Sequence, residues 1–177
     1  KTYIRNPNFF SGVVFIAPLC KVSEHMLPPD WVVSFLKLLL GKTDRVTWIG
    51  EQPLAPTKGD TAALSFKIPE KRRLFTMHPF VYGRQPRFHT AREIIDLTAD
   101  ISNNLAKQFD GPFLVQHGTA DKVTCPKLSQ MLYDESPSKD KEMKLYEGMF
   151  HNLLGGEPKE NTDLILNDSM QWILSRS

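Results

Sequence analysis

The sequence predicts an α/β domain built on a parallel sheet with a long insertion, and three observations carry that prediction. An early apolar run lacks alternation, two strand-like segments near the far end are each followed by a helical pattern, and a long proline-rich stretch separates the first strand from the others. Gly12-Val13-Val14-Phe15-Ile16-Ala17-Pro18 is apolar throughout, the mark of a strand covered on both faces. Residues 112–117 and 142–147 supply the second and third strands. Between them Pro126 stands where the first turn of a helix tolerates proline, and Leu128, Met131 and Leu132 recur at helical spacing. After the third strand Leu164, Ile165, Met170, Trp172 and Ile173 predict a C-terminal helix, with Asn161 or Thr162 as its cap. Strand, insertion, strand, helix, strand, helix is the winding of a parallel α/β sheet.

The insertion, residues 20–110, has a different character. It holds most of the prolines and two helical stretches, 31–40 and 91–109, the second introduced by Thr90-Ala91-Arg92-Glu93 at the spacing of a capping box. A segment this long between two strands is expected to form a cap over the sheet's edge. The expected division is therefore a core of residues 1–19 and 111–177 with a cap of residues 20–110. Three parallel strands leave an apolar edge unpaired, so either the chain is the second half of a larger sheet or its first strand finds a partner elsewhere. The opening, KTYIRNPNFFSG, reads as the end of a helix and a loop feeding the first strand.

Composition excludes several classes of function. The chain has 177 residues, 41% of them hydrophobic, enough for a substantial core. Its 22 basic and 20 acidic residues are mixed along the chain, giving a net charge of +2 and no electrostatic case for nucleic acid. Lys71-Arg72-Arg73 is expected to be a solvated helix face. Cys20 and Cys125 lack a pairing pattern and fit a reducing, cytoplasmic setting. No leader pattern and no apolar run near the roughly 18 residues of a membrane span is seen. Metal-site spacing, phosphate loops and dinucleotide fingerprints are missing, so no cofactor is expected.

In an open parallel sheet functional groups gather beyond the carboxyl ends of the strands. Asp121 follows the end of the second strand and His151 the end of the third, which offers an acid and an imidazole at one edge. A buried carboxylate can accept the imidazole Nδ1–H, fix its tautomer and stabilise the imidazolium formed when Nε2 takes a proton from a nucleophile. Taken singly, an aspartate after glycine is most often a turn residue and a loop histidine most often a solvated one. The pair on successive strand ends favours catalysis. His117 is expected to pack or bond locally, and His25, His78 and His89 lie in the cap without paired acids. No G-x-S-x-G elbow occurs: Ser11 precedes Gly12 but has Phe9 where the first glycine should stand, and Cys125, close to Asp121, could offer a thiolate, although a reduced cysteine before proline is more often structural.

The stretch from Phe113 to Thr124, FLVQHGTADKVT, and that from Lys144 to Leu154, KLYEGMFHNLL, with Gly156-Glu157-Pro158 behind it, resemble the C-terminal half of the monoacylglycerol lipase and lysophospholipase branch of the α/β-hydrolases. Plant-type members, including caffeoylshikimate esterases, are similar also in Phe15-Ile16-Ala17-Pro18-Leu19-Cys20-Lys21-Val22-Ser23, in Pro69-Glu70-Lys71-Arg72 and in the ending from Asp168 to Arg176. The resemblance implies a serine hydrolase in which Asp121 and His151 match the acid and base, with the nucleophile elbow and oxyanion hole upstream of Lys1. The chain alone is then expected to be inactive, its partner being the N-terminal half of the same hydrolase domain. The implied substrate is a small-molecule ester with one hydrophobic acyl group and a small polar alcohol portion.

The cap helix at 31–40, apolar on almost every side, suits docking on the core, lining an acyl tunnel or peripheral membrane contact, or is simply a buried helix. Two other readings remain open: an aspartate-nucleophile enzyme of epoxide hydrolase or dehalogenase type, and a non-catalytic relative that binds a hydrophobic ligand or partner.

Overall fold

The computed structural model describes residues 2–20, 61–81 and 88–176, together with Trp31, Ser34, Phe35 and Leu38. A helical turn α1 (Thr2–Arg5) leads to strand β1 (Val13–Ile16). Helices α2 (Thr61–Ser65), α3 (Pro69–Thr76) and α4 (Phe88–Asp100) follow, the last continuing through a π-helical turn at Ile101–Leu105 and a 3₁₀ turn at Ala106–Gln108. Then come β2 (Phe113–Gly118), α5 (Pro126–Glu135), β3 (Lys141–Tyr146) and α6 (Lys159–Leu174). Among the described residues the sheet has the order β1-β2-β3 with both pairings parallel, Val13 opposite Phe113 and Phe113 opposite Lys141.

β2 is the strand covered on both faces; every one of its six residues is buried. Its pleat sends Phe113 and Val115 into a cluster with Phe109, Ala106, Cys20 and Leu132 of α5. On the opposite face Gln116 donates to the Ile165 carbonyl of α6 at 3.0 Å and accepts from Ser169 at 2.8 Å. Burying each of Phe113, Leu114 and Val115 contributes about 2 kcal/mol, and the polar Gln116 is tolerated there because its amide is fully partnered, also donating to Tyr146 Oη at 2.8 Å. Tyr146 in turn donates to Asp168 at 2.8 Å, which also receives Lys144 at 2.8 Å. This polar seam ties α6 to both β2 and β3.

Several expected details differ. β1 is half-buried rather than doubly covered, because it lies at the edge of the described sheet and pairs only with β2. α4 begins at Phe88, which places Thr90 inside the first turn and removes the expected capping box. α6 begins at Lys159 behind Pro158, with no side-chain cap. Asn161 instead donates to Glu157, and Thr162 Oγ1 faces the Leu153 and Pro158 carbonyls. Lys71 is not simply solvated: its ammonium donates to the Glu157 carbonyl at 2.6 Å. Of the expected helix at 31–40, Trp31, Ser34, Phe35 and Leu38 are helical and exposed, and the other positions lie outside the described residues. Cys20 and Cys125 are free thiols, and no helix of the described residues is long and apolar enough to cross a membrane.

Candidate active site

Two loops leave the carboxyl ends of β2 and β3 and are laced together before either delivers a functional group. Thr119 N–H donates to the Tyr146 carbonyl at 2.9 Å and Ala120 N–H to the Met149 carbonyl at 3.1 Å. The approach is so close that a Cβ at Gly118 would lie 2.3 Å from the Met149 carbonyl oxygen. A Gly118→Ala substitution should therefore cost about 3 kcal/mol of stability, read by urea unfolding, because backbone rather than a flexible side chain would have to move. An unchanged midpoint would mean that the loops are not held at this separation.

The lacing brings Asp121 and His151 together, with His151 Nδ1 2.8 Å from Asp121 Oδ2. The Asp121 side chain is fully buried, while the His151 ring is 28% exposed and lines a cleft of about 540 Å³. Nδ1 faces a carboxylate and therefore carries the proton, which leaves Nε2 as the proton-accepting edge.

Asp121 is more heavily solvated by protein than a simple pair requires. Oδ1 accepts the backbone N–H groups of Val123 at 2.7 Å and Thr124 at 2.9 Å. Oδ2 accepts His151, the Thr124 hydroxyl at 2.8 Å and His117 Nε2 at 2.9 Å. Burial pushes the carboxyl up, but the hydrogen bonds from His117, His151 and Thr124 outweigh it and hold Asp121 well below the usual carboxylate range.

His117 is the penultimate residue of β2 and is fully buried. The Asp121 carboxylate can only accept, so it places the His117 proton on Nε2, and the free Nδ1 then accepts the Ser129 hydroxyl of α5 at 2.8 Å. Near Ser129 lies the Cys20 thiol, pushed up to about 11 by burial against a smaller opposing effect of that hydroxyl. Cys20 is thus held as a neutral thiol. Thr124 Oγ1 also lies 3.2 Å from His151 Nδ1 and 3.3 Å from His117 Nε2, between the two rings. At the end of β1 Ala17 adopts a φ of 45°, a conformation costly for a residue with a side chain, and lines the same cleft.

The loop carrying His151 has its own anchor in Glu157, which is fully buried. One carboxylate oxygen accepts the Phe150 N–H at 2.7 Å and the other accepts Asn161 Nδ2 at 2.8 Å. Sequence reasoning named Asp121 and His151 but not His117, Thr124, Ser129 or Glu157 as parts of this site. The signal for His117 was its position four residues before Asp121, across the turn at Gly118. Of the other histidines, His78 packs on Phe80 away from the cleft, while His25 and the His89 side chain lie outside the described residues. Cys125 stands at the start of α5 and Ser11 precedes β1; neither lines the cleft.

Residues 1–159 match the family model described as serine aminopeptidase S33, a hydrolase family. The chain belongs to this family. As a serine aminopeptidase S33 family member it is 37% identical over 167 residues to caffeoylshikimate esterase of Arabidopsis thaliana, covering 94% of this chain and 48% of the relative. It is also 37% identical over 175 residues to monoglyceride lipase of Saccharomyces cerevisiae, covering 96% and 53%. The chain thus spans about half the length of the curated relatives it matches. Among solved structures, a soluble variant of the Saccharomyces cerevisiae monoglyceride lipase in complex with a substrate analog superposes with a TM-score of 0.77 at 22% identity, covering 99% of this chain and 60% of that one. The monoacylglycerol lipase of Paleococcus ferrophilus gives 0.78 at 22%, covering 98% and 62%. The fold is that of the α/β-hydrolases, of which this S33 family chain covers a part, and its family is of the serine-hydrolase type related to monoglyceride lipases and esterases.

Proposed function

We propose that the intact protein containing this chain is a carboxylic ester hydrolase, with Asp121 and His151 as acid and base of a serine triad whose nucleophile and oxyanion donors lie outside these 177 residues. The observation that carries the reading is the contact of 2.8 Å between His151 Nδ1 and a fully buried, multiply hydrogen-bonded carboxylate, at the mouth of a cleft. In that arrangement His151 Nε2 removes the proton from the attacking hydroxyl and returns it to the leaving alcohol, while Asp121 supports the imidazolium without taking a proton itself.

The cleft favours esters with a hydrophobic acyl group, such as monoacylglycerols, lysophospholipids or phenolic esters. Its walls include Ile16, Phe66, Phe75, Leu153 and Leu154, and among the described residues that line it none is acidic. Apolar walls of this kind receive an acyl chain by burial of its surface. Trp31, Phe35 and Leu38, spaced along one helix face and exposed, suit peripheral contact with the lipid surface from which such an ester would come.

The test is activity-based labelling of the intact protein. A fluorophosphonate probe should label it covalently, and it should hydrolyse p-nitrophenyl laurate faster than an aminoacyl p-nitroanilide. No labelling, or a preference for the anilide, would overturn the assignment.

A further inference from the structure

One segment forms a wall of the cleft and also grips the loop that carries His151. Ala62, Ser65, Phe66 and Phe75 line the cleft. From the same stretch the Ser65 carbonyl accepts the Asn152 N–H at 3.0 Å, and the Lys67 and Ile68 N–H groups both donate to the Gly156 carbonyl, at 3.0 and 3.1 Å. Two ammonium groups complete the grip: Lys67 Nζ donates to the Gly148 carbonyl at 3.0 Å, and Lys71 Nζ to the Glu157 carbonyl at 2.6 Å. His151 therefore sits on a loop held at both of its ends, Gly148 and Glu157, by lysines of the 61–76 segment.

Glu157 makes the grip consequential. Its backbone takes Lys71 while its buried side chain takes the Phe150 N–H, one residue before His151, at 2.7 Å. Lys67 Nζ lies 3.9 Å from the same carboxylate, giving the buried charge a cationic neighbour. Movement of the segment would reach the His151 backbone through two bonds, from Lys71 to Glu157 and from Glu157 to Phe150. A carbonyl–ammonium contact is directional and short-ranged, so it transmits position rather than bulk charge.

We propose that Lys67, Lys71 and Glu157 are positioning residues that couple filling of the cleft to the seating of His151. An apolar group packed against Phe66 and Phe75 holds the 61–76 segment in place, and the segment holds the His151 loop. The proposal rests on the ester hydrolase reading for its catalytic consequence, but not for its mechanical one. Discrimination between substrates follows directly: an ester with a long acyl chain gains a well-seated base, whereas an acetate ester, too short to fill the cleft, does not.

The test compares the intact wild-type protein with the Lys67→Met/Lys71→Met double variant, which keeps the aliphatic stems. Amide exchange of Phe150 and Asn152 should accelerate about tenfold in the variant while that of Leu114, fully buried in β2, stays unchanged. The kcat for p-nitrophenyl laurate should fall about tenfold, against less than twofold for p-nitrophenyl acetate, with KM for the acetate unaltered. Unchanged exchange at Phe150 and Asn152, or an equal loss on both esters, overturns the coupling. Faster exchange in a protein that hydrolyses neither ester supports the mechanical grip and counts against the hydrolase reading instead.

Discussion

Under the proposed ester hydrolase reading, the Asp121→Asn variant of the intact protein is expected to lose about 10⁴-fold in kcat on p-nitrophenyl laurate, the scale of loss seen when a triad acid becomes an amide. The hydrogen-bond inventory says why. Each carboxylate oxygen of Asp121 faces only donors, two backbone N–H groups at Oδ1 and His151, His117 and Thr124 at Oδ2. An amide presents one oxygen and one NH₂, so either the backbone pair or the two imidazoles must meet a donor with a donor. The backbone pair belongs to the turn that forms the site, so the NH₂ turns toward the rings. His151 is then driven to the other tautomer or swings away, and Nε2 no longer accepts a proton. Steady-state kinetics on p-nitrophenyl laurate checks the loss, and a variant within tenfold of wild type would remove Asp121 from the mechanism.

The same residue sets an acid limit on stability. Its pKa is lowered in the folded protein, so the stabilisation is fully present above the ordinary unfolded value of about 3.9 and is lost as pH falls from there through the folded value. Wild type should therefore weaken in urea between about pH 4 and pH 2 more steeply than Asp121→Asn, which cannot titrate there. Equal slopes would mean that the carboxylate is not held by these partners.

Strand positions and the two loop-end groups were legible because they depend on local pattern. An apolar run such as 113–115 reads as strand whatever surrounds it, and Asp121 and His151 each lie within a few residues of a strand end. What escaped was contact made across the fold. Nothing near Asn161 in sequence tells that Glu157 turns inward to hold the Phe150 N–H and so takes Asn161 from its expected capping role. Thr90-x-x-Glu93 had the right spacing for a cap, yet α4 begins two residues earlier, since a spacing rule cannot fix which turn is first. Lys71 lay in a basic run that reads as solvent-facing, and only the folded chain brings the Glu157 carbonyl to it. β1 is apolar yet half-buried for the same kind of reason: its pattern reports local hydrophobicity, whereas its burial depends on which strands pair with it, and among the described residues only β2 does.

His117→Leu is expected to cost about 3 kcal/mol of stability and to lower kcat as well, although His117 does not line the cleft. The ring is fully buried and serves two partners at once, donating to Asp121 and accepting from Ser129. Leucine fills comparable space but leaves the Ser129 hydroxyl without its acceptor and Asp121 with four donors instead of five. The two losses can be separated by a cycle. Adding Ser129→Ala to His117→Leu removes the stranded hydroxyl and should restore about 1 kcal/mol of unfolding free energy, whereas Ser129→Ala alone should destabilise, because it strands the ring nitrogen. The kcat deficit should persist in the double variant, since the missing donor at Asp121 Oδ2 is not replaced, and should be partly recovered in His117→Gln, whose amide can still donate. A purely structural histidine predicts the opposite pairing, with activity returning as stability returns. If the two substitutions prove additive and kcat follows stability, His117 is packing alone; if they couple while kcat stays low, β2 contributes a second imidazole to the electrostatics of the acid.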